Sequence, residues 1–402
     1  MKPVEFKNGA LSDLRVLELG TLLAGPFCGQ LLGDMGAEVI KIEPPNQGDP
    51  MRVWGRQKQG DPSLWWPVVA RNKKAITLDL RQTEGQEILK ELVAKADFLV
   101  ENFRPGTMEK WGLGFAALSA INPRLIMIRV SGYGQTGPYS HQAGFGAIGE
   151  AMGGLRYVVG DPSTPPSRMG ISIGDSLAAT FACVGALSAL HYREKTGRGQ
   201  VVDSAIYEAV LNMMESLITE YDKQGFIRER TGAILPNVAP SNVYPTADGL
   251  VLIAANQDTV FGRLCEAMGR PELARDPAYV NHQARGSRQQ ELDALIGRWT
   301  STLSTKAALD LMDQHGVPAG LIYRPPDMLT DPHFAARNAI VSVKHPTFGD
   351  LKMQNVAPKL SESPGGIRAA SPELGQHNEE VYLELLKFTR AHFDELKGKH
   401  VI

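Results

Sequence analysis

The chain has 402 residues, which is longer than one ordinary domain, so we expect two or three compact units. Its residues are 43% hydrophobic and 21% charged, as is typical of a soluble globular protein. The net charge of −2 and the lack of a basic tract argue against a nucleic-acid surface. We expect no membrane segment, because no apolar run looks long enough to span a bilayer. We also expect no signal peptide, because Glu5, Lys7 and Asp13 interrupt the N-terminal region.

The cysteines and histidines form no metal or redox motif. Three cysteines, Cys28, Cys183 and Cys265, lie far apart, which is typical of buried free thiols in a reducing compartment. The nine histidines form no H-x-x-x-H pattern and the chain has no C-x-x-C, so a metal site has little support. We therefore expect a cytoplasmic protein without a bound metal.

Strands and helices alternate through the first half of the chain. Strand–helix–strand units at this spacing predict parallel strand pairs, and their succession predicts a doubly wound, Rossmann-like sheet. In such a sheet, ligands bind beyond the carboxyl ends of the strands. The predicted strands span 14–19, 37–43, 75–80, 98–103, 125–130 and 201–203, the predicted helices span 28–35, 83–96, 143–153 and 207–221, and a polar loop spans 46–62.

A composition break at 224–240 indicates a linker, after which a second unit begins at Ser241. Beyond Pro325 the pattern changes again, with short strands within 345–356 and a last helix after His377. The elements predicted for the second unit are strands at 250–255 and 317–323 and helices at 261–268, 289–303 and 306–315.

A glycine-rich motif, Gly132-Tyr133-Gly134-Gln135-Thr136-Gly137, follows the fifth strand and matches the dinucleotide pattern G-x-G-x-x-G. That pattern requires a helix directly after it, and here Pro138 stands where the helix should be running. We therefore favour a glycine-rich turn beside a cleft, with Tyr133 aimed inward, over a dinucleotide site.

The stretch from Ile171 to Leu190 is typical of a helix whose first turn contains Asp175. Fifteen uncharged residues follow Asp175, small and apolar all round, which predicts a helix buried on most faces. A carboxylate at this point fits two roles. It is a preferred N-cap, since it accepts backbone N–H bonds and faces the positive helix end. It is also suited to be a nucleophile held at the mouth of a buried helix.

Short motifs distributed over nearly the whole chain carry a family resemblance. In this order they resemble class III CoA-transferases of the CaiB/BaiF type, which include formyl-CoA and carnitine-CoA transferases and related CoA-ester racemases. The motifs are Ala24-Gly25-Pro26-Phe27, the run Gly36 to Glu43, Arg71-Asn72-Lys73-Lys74, Val100 to Gly106, Ser131 to Pro138, Thr196 to Gln200, and Leu374-Gly375-Gln376-His377.

The resemblance implies an α/β fold with a Rossmann-like parallel-sheet large domain, which is discontinuous, and a smaller α+β domain. It also implies an interlocked homodimer, in which each chain passes through a ring formed by the other. The expected boundaries are 1–224 and 335–402 for the large CoA-binding domain, 225–240 and 326–334 for linkers, and 241–325 for the small domain.

The resemblance also implies the chemistry, because the aspartate that becomes acylated in these transferases matches Asp175. We expect CoA to move from an acyl-CoA donor to a carboxylic acid through mixed anhydrides and an aspartyl-CoA thioester on Asp175. We favour succinyl-CoA as the donor and a dicarboxylic acid as the acceptor. CoA is then a substrate, and no prosthetic group is expected.

The positions that would contact CoA follow from the same resemblance. The adenosine and diphosphate part would lie nearer the first strands, and the thioester nearer the glycine-rich turn. Cationic side chains are needed there because CoA carries several phosphate charges. The first set is Leu23, Ala24, Leu78, Arg81, Asn102, Phe103, Arg104 and Lys110, and the second is Ser131 and Tyr133.

Two positions depart from the family pattern. Pro44 stands where some relatives have an arginine, and we consider Arg52 as a substitute for that cation. The stretch Ala233 to Asn242 lacks the glycine-rich flap of formyl-CoA transferases, which argues against an oxalate-type substrate.

Two alternative functions stay open. A racemase of the same fold needs a second base, a histidine about thirty residues before the aspartate, and Phe145 occupies that position while His141 lies four residues early. A catalytically inactive CoA-binding or regulatory protein is the other alternative. The intact Gly174-Asp175 pair argues against it, and CoA binding without turnover would favour it.

Overall fold

The computed structural model describes residues 9–56 and 61–402. Glu5, Lys7 and part of the predicted loop 46–62 lie outside the described residues. Contacts divide the chain into two compact units. The first contains the described residues up to Leu155 together with Met169–Gly225 and Ala335–Ile402, and the second contains Arg156–Arg168 and Phe226–Phe334. The finer domain and linker boundaries given above stay a prediction.

The described part of the chain forms the following strands and helices. The strands are β1 (Arg15–Glu18), β2 (Glu38–Glu43), β3 (Lys73–Thr77), β4 (Phe98–Glu101), β5 (Ile126–Ser131), β6 (Val201–Ala205), β7 (Ser241–Pro245), β8 (Leu250–Ala254), β9 (Ala319–Leu321), β10 (Ile340–His345) and β11 (Gly349–Gln354). The helices are α1 (Ala24–Asp34), α2 (Trp66–Val69), α3 (Thr83–Val93), α4 (Thr107–Lys110), α5 (Phe115–Ile121), α6 (Gly146–Met152), α7 (Leu155–Val158), α8 (Ile173–Thr196), α9 (Ile206–Leu211), α10 (Leu217–Gln224), α11 (Asp258–Ala267), α12 (His282–Ser287), α13 (Gln289–Thr300), α14 (Thr305–Gln314), α15 (Pro325–Thr330), α16 (Pro332–Ala336) and α17 (Arg390–Gly398). Short 3₁₀ helices span Pro50–Val53 and Pro271–Arg275, and a π-helix spans Glu380–Leu385.

The first unit is built on a six-stranded sheet in the order β3-β2-β1-β4-β5-β6, with all neighbours parallel. Its strands place apolar side chains on both faces. Val16, for example, belongs to the core on the α1 and α8 side, whereas Leu17 belongs to the core on the α3 side. Strands buried on both faces are characteristic of parallel sheets covered by crossover helices. The predicted Rossmann-like α/β fold is therefore confirmed.

The edge strand β3 is covered by a segment that follows it by about three hundred residues. The N–H of Thr77 donates to Asn378 Oδ1 at 2.9 Å, and the hydroxyl of Tyr382 donates to the Thr77 carbonyl at 2.6 Å. The N–H of Ala75 donates to His377 Nδ1 at 3.1 Å. These side chains pair with backbone groups that an edge strand otherwise leaves open, which explains the structural role of the Leu374-Gly375-Gln376-His377 motif.

The second unit contains the antiparallel sheet β7-β8-β9 and the helices α11 to α14. A fully buried arginine, Arg285, ties its loops together. Its guanidinium donates to the carbonyls of Ala239, Asn256 and Tyr279 and to the Asp258 carboxylate. A buried guanidinium requires this many acceptors, because an unpaired charge in the core would be strongly destabilising.

The helix predicted over 207–221 and the strand predicted over 75–80 differ from the structure. The helix predicted over 207–221 is interrupted, because Glu215 has a φ of 52°, in the left-handed region that ends a helix. It forms α9 and α10 instead. Strand β3 begins two residues earlier than predicted and ends at Thr77, because the N–H of Asp79 leaves the ladder and donates to the carbonyl of Val401.

Helix α8 is longer and more exposed than predicted. It ends at Gly197, whose φ of 73° and N–H bond to Arg193 form a left-handed cap. Ala178, Ala182 and Ala186 are buried on one side, whereas Val184 on the other side is 56% exposed, so burial on most faces is wrong for the single chain. Among the described helices, α8 is also the single one long and apolar enough to cross a membrane, contrary to the sequence-based expectation. A core helix of a soluble protein meets the same length and composition criterion.

Candidate active site

A cavity of about 220 Å³ opens at the carboxyl ends of β1 to β4. Three of the predicted CoA contacts, Leu78, Arg81 and Phe103, lie on its wall, as the rule for parallel sheets leads one to expect. Phe103 and Trp111 meet edge to face, with ring centroids 5.4 Å apart. The complete lining is Leu19, Thr21, Ile42, Pro44, Gln47, Leu78, Asp79, Leu80, Arg81, Phe103 and Trp111.

The turn between β1 and α1 carries the predicted contacts Leu23 and Ala24. Ala24 is the buried first residue of α1, and Leu23 immediately before it is half-buried. Asn102 binds both sides of the peptide at Thr21: its Oδ1 accepts the Thr21 N–H at 2.8 Å, and its Nδ2 donates to the Thr21 carbonyl at 3.0 Å. The side chain of Asn102, itself a predicted CoA contact, therefore holds this turn in place.

The next residue of the turn, Leu22, has a φ of 62°, which is unfavourable for a residue other than glycine. Its N–H donates to Asp49 Oδ1 at 3.0 Å, and this bond holds the unusual conformation. Asp49 is in turn fixed from below by Lys41, whose Nζ lies 2.7 Å from Asp49 Oδ2.

Lys41 belongs to a buried ionic network under the turn. Its Nζ lies 3.2 Å from Glu18 Oε1, and the Nζ of Lys73 lies 2.7 Å from Glu18 Oε2. Burial lowers the pKa of Lys41, but the carboxylates of Asp49 and Glu18 outweigh burial and leave that pKa above its usual value. For Lys73 burial dominates and its pKa is lowered. The network joins β1, β2 and β3 through Glu18, Lys41 and Lys73.

Arg52 is committed to other contacts and does not replace the cation missing at Pro44. Its guanidinium forms a two-bond pair with Glu43, with both distances 2.8 Å. It also stacks on Trp66, 3.8 Å from the ring centroid, and donates to the carbonyl of Pro372. The substitution suggested by the sequence is therefore wrong.

The three predicted cations differ in whether a carboxylate already binds them. Arg81 makes a bidentate pair with Asp79, at 2.8 and 2.9 Å, although its side chain is 71% exposed. The hydrogen bond from Arg81 holds the pKa of the Asp79 carboxyl below its usual value. Arg104 follows β4 and Lys110 is the last residue of α4; both are exposed, neither lines the cavity, and within the described ranges neither side chain has an ion-pair partner.

The glycine-rich turn after β5 holds Ser131 and Tyr133. Ser131 Oγ accepts the N–H of Gly134 at 3.0 Å, so that N–H is already bound within the turn. The ring of Tyr133 lies directly over Gly144, where an added Cβ would come within 2.9 Å of the ring. The next helix, α6, begins only at Gly146, so the turn lacks the helix that a dinucleotide site requires.

Asp175 is the third residue of α8, whereas the N-cap position belongs to Ser172. Asp175 is therefore not the N-cap of α8, and the interpretation of Asp175 as a helix cap is wrong. Its carboxylate lies against the backbone of Gly146, the first residue of α6. The segment that reaches from Gly144, under Tyr133, to Gly146 thus connects the glycine-rich turn with Asp175.

Another carboxylate, Glu150, lies at this junction; unlike the half-buried Asp175 it is buried, and the sequence analysis did not identify it. It is 1% exposed, and its Oε1 accepts the N–H of Gly174 at 3.4 Å. The sequence does distinguish this residue, because Glu150 is the single charged residue among the glycine and apolar residues of Gly146–Met152. Among the described residues, no group of three metal-ligating side chains occurs at this site or elsewhere.

Comparison with known proteins identifies the family. The sequence model of CoA-transferase family III matches residues 11–378. The succinyl-CoA–D-citramalate CoA-transferase of Chloroflexus aurantiacus is 61% identical over 393 residues, covering 98% of each chain. The beta subunit of the succinyl-CoA–L-malate CoA-transferase of the same organism is 41% identical over 396 residues, again covering 98% of each. The crystal structure of a CaiB/BaiF family protein from Brucella suis superposes with a TM-score of 0.84 at 33% identity, covering 94% of this chain and 100% of that one.

This chain therefore belongs to CoA-transferase family III and is a class III CoA-transferase. The family resemblance drawn from the motifs is confirmed. Which residues bind CoA, and whether Asp175 becomes acylated, stay predictions.

Proposed function

We propose that this chain transfers CoA from succinyl-CoA to a five- or four-carbon dicarboxylic acid of the citramalate or malate type. The observation that carries this proposal is the 61% identity, over nearly the full length of both chains, to a succinyl-CoA–D-citramalate CoA-transferase. The relative named for L-malate supports the wider class of hydroxylated dicarboxylic acceptors.

The cavity at the carboxyl ends of β1 to β4 would receive the adenosine end of CoA. Its wall is mainly apolar, with Leu78 and the Phe103–Trp111 ring pair suited to pack against a base. Arg104 and Lys110 would contact the phosphates, because neither charge is already neutralised by a described carboxylate. Arg81 would contribute less, since Asp79 already binds its guanidinium.

Asp175 would act as the nucleophile. One carboxylate oxygen attacks the thioester carbonyl of succinyl-CoA, the C–S bond breaks, and a mixed anhydride and the CoA thiolate result. The thiolate then attacks the Asp175 carbonyl of the anhydride, which releases succinate and leaves an aspartyl-CoA thioester.

The acceptor carboxylate completes the exchange in the reverse order. It attacks the aspartyl carbonyl, which expels the thiolate and forms the second mixed anhydride. The thiolate attacks the acyl carbonyl of the acceptor, so that the new CoA ester leaves and the Asp175 carboxylate is regenerated. No proton or electron is gained or lost over the cycle, so the aspartate needs no general base.

The local structure favours this reaction over racemisation. A racemase would need a base where this chain has Phe145, which is 67% exposed and directly precedes Gly146 at the Asp175 carboxylate. His141 is exposed on the preceding loop and is not part of α6. The transferase and racemase reactions also differ in product, which allows a direct test.

The test is incubation of the protein with succinyl-CoA and a panel of acids, followed by mass spectrometry of the CoA esters. D-citramalate and L-malate should each yield a new thioester together with free succinate, whereas acetate should not. Deuterium exchange at an α-carbon without a new thioester would establish the racemase alternative. CoA binding without any turnover would establish the inactive one.

We also propose that the active form is an interlocked homodimer, as the family resemblance implies. The first unit exposes large apolar side chains, among them Val184, Leu187, Ile218 and Tyr221, and a second copy would remove them from water. Ultracentrifugation during dilution should show no monomer until denaturant unfolds the chain. A folded and active monomer at low concentration would contradict the proposal.

A further inference from the structure

Glycine at position 146 permits an unusually close approach of the Asp175 side chain. A Cβ added at Gly146 would lie 2.8 Å from Asp175 Cγ and 3.0 Å from Oδ1, closer than real Cβ atoms approach a neighbour. The carboxylate therefore rests on the bare Cα of the first residue of α6. Any side chain at this position would occupy the space in which the carboxylate now lies.

The residue before Asp175 is held against the same helix. A Cβ added at Gly174 would lie 3.0 Å from the carbonyl oxygen of Gly146 and 3.0 Å from Glu150 Cγ. The N–H of Gly174 also donates to Glu150 Oε1 at 3.4 Å. The two glycines thus let α6 and α8 touch, and Glu150, one turn after Gly146, bonds to the backbone next to Asp175.

We propose that Gly146 and Glu150 are positioning residues for the carboxylate of Asp175. Gly146 provides the surface against which the carboxylate packs, and Glu150 fixes the start of α8 that carries it. This inference rests on the proposed function, in which an oxygen of Asp175 attacks a thioester carbonyl. Such an attack depends on alignment, and a displacement of about 1 Å can lower the rate by about a hundredfold.

The same helix provides a matched control. A Cβ added at Gly149 would lie 2.8 Å from Ile206 Cβ, the same distance that separates a Cβ at Gly146 from Asp175 Cγ. Gly146→Ala and Gly149→Ala therefore introduce the same methyl group at the same closeness in one helix. They differ in what the methyl group displaces, which is the reactive side chain in one case and a core side chain in the other.

We expect Gly146→Ala to lower kcat by about a hundredfold while the KM for succinyl-CoA changes by less than about threefold. Hydroxylamine trapping of the Asp175 peptide during turnover should fall in parallel. Gly149→Ala should lower the thermal midpoint but keep kcat per folded molecule within about threefold of wild type. A Gly146→Ala enzyme with a near-normal kcat would overturn the inference, and so would an equal loss of kcat in both variants.

The positioning role of Glu150 is tested by comparing a variant that removes its hydrogen-bond acceptor with one that keeps it. Glu150→Ala removes the acceptor for the Gly174 N–H and should lower kcat, whereas Glu150→Gln keeps an oxygen acceptor of the same size and should retain most of it. Equal losses in the two variants would overturn the positioning role of Glu150.

Failure of this inference can be told apart from failure of the proposed function. An active Asp175→Asn enzyme would end the proposed nucleophile, whatever position 146 does. An inactive Asp175→Asn enzyme beside a Gly146→Ala enzyme with normal kcat and normal trapping would end the present inference alone.

Discussion

The two ends of the proposed site are held by different forces. At the carboxyl ends of β1 to β4, polar and charged side chains hold the turn between β1 and α1: Asn102 binds Thr21, and Asp49 binds Leu22 above a buried ionic network. At the junction of α6 and α8, close backbone packing at Gly146 and Gly174 takes that role. We infer that the first region is sensitive to the loss of a hydrogen bond or charge, and the second to the addition of volume.

The largest effect is expected for Asp175→Asn, which tests the reactive end directly. The amide cannot form the anhydride, so kcat should fall by at least about a thousandfold. The free energy of unfolding should change by only about 1 kcal/mol or less, because the amide keeps the size and shape of the side chain and a charge in the first turn of a helix contributes little more than that. Turnover assays and urea denaturation measure the two quantities. A variant that keeps most of its activity would show that Asp175 is not the nucleophile.

The next effect concerns the ionic network below the β1–α1 turn. Lys41→Met leaves the buried carboxylates of Glu18 and Asp49 without their shared cation, and should lower the free energy of unfolding by about 3–5 kcal/mol. Lys74→Met is the control, since it removes only partly exposed pairs, one with Glu38 and one with Glu380, each of which should contribute about 1 kcal/mol or less. The midpoints of urea denaturation measure the stability of the two variants. Equal losses of stability would contradict the greater importance of the buried network.

Asn102→Ala tests whether Asn102 stabilises the β1–α1 turn without taking part in the reaction at Asp175. Losing both bonds to Thr21 should raise the KM for succinyl-CoA by about tenfold while changing kcat less, because the turn and not Asp175 is disturbed. Asn102→Asp keeps the acceptor for the Thr21 N–H, so its KM for succinyl-CoA should lie between those of the wild type and Asn102→Ala. A changed kcat with an unchanged KM would place Asn102 at the reacting atoms.

The smallest effect is expected for the exposed cations Arg104 and Arg81. Arg104→Ala should raise the KM for succinyl-CoA by about three- to tenfold and make it less sensitive to salt, because a charge free to meet a phosphate is lost. Arg81→Ala should have a weaker effect, since Asp79 already binds that guanidinium. The KM of both variants is measured at low and moderate salt. A larger increase for Arg81→Ala than for Arg104→Ala would contradict the idea that Arg104 is the cation free to bind a phosphate.

The parallel sheet could be predicted from the sequence because short strand-like runs alternate with helical patterns along the first half of the chain. The helix that carries Asp175 was predicted from its uncharged, apolar run. Its exposed side, at Val184, was not, because an apolar run does not reveal which of its faces meets the core. The division at Glu215 was missed since its positive φ has no signature in the residue type.

The candidate site was predictable in its residues but not in their partners. Phe103 and Leu78 lie on the cavity as expected. Arg52 did not serve as a cation, because its pairing with Glu43 depends on how strand and loop pack. The contact of Gly146 with Asp175 joins positions far apart in the chain, and only a folded chain shows that it exists.

The covering of β3 by residues 377–382 has a consequence for the order of folding. The bond between Thr77 and Asn378 joins positions 301 residues apart, so the first unit is finished only after a very long loop has closed. Contacts of such sequence separation form slowly, and until they form the β3 edge can pair with another chain. Aggregation during refolding should therefore depend on how soon this segment reaches the sheet, and an excess of a synthetic peptide with its sequence should suppress it.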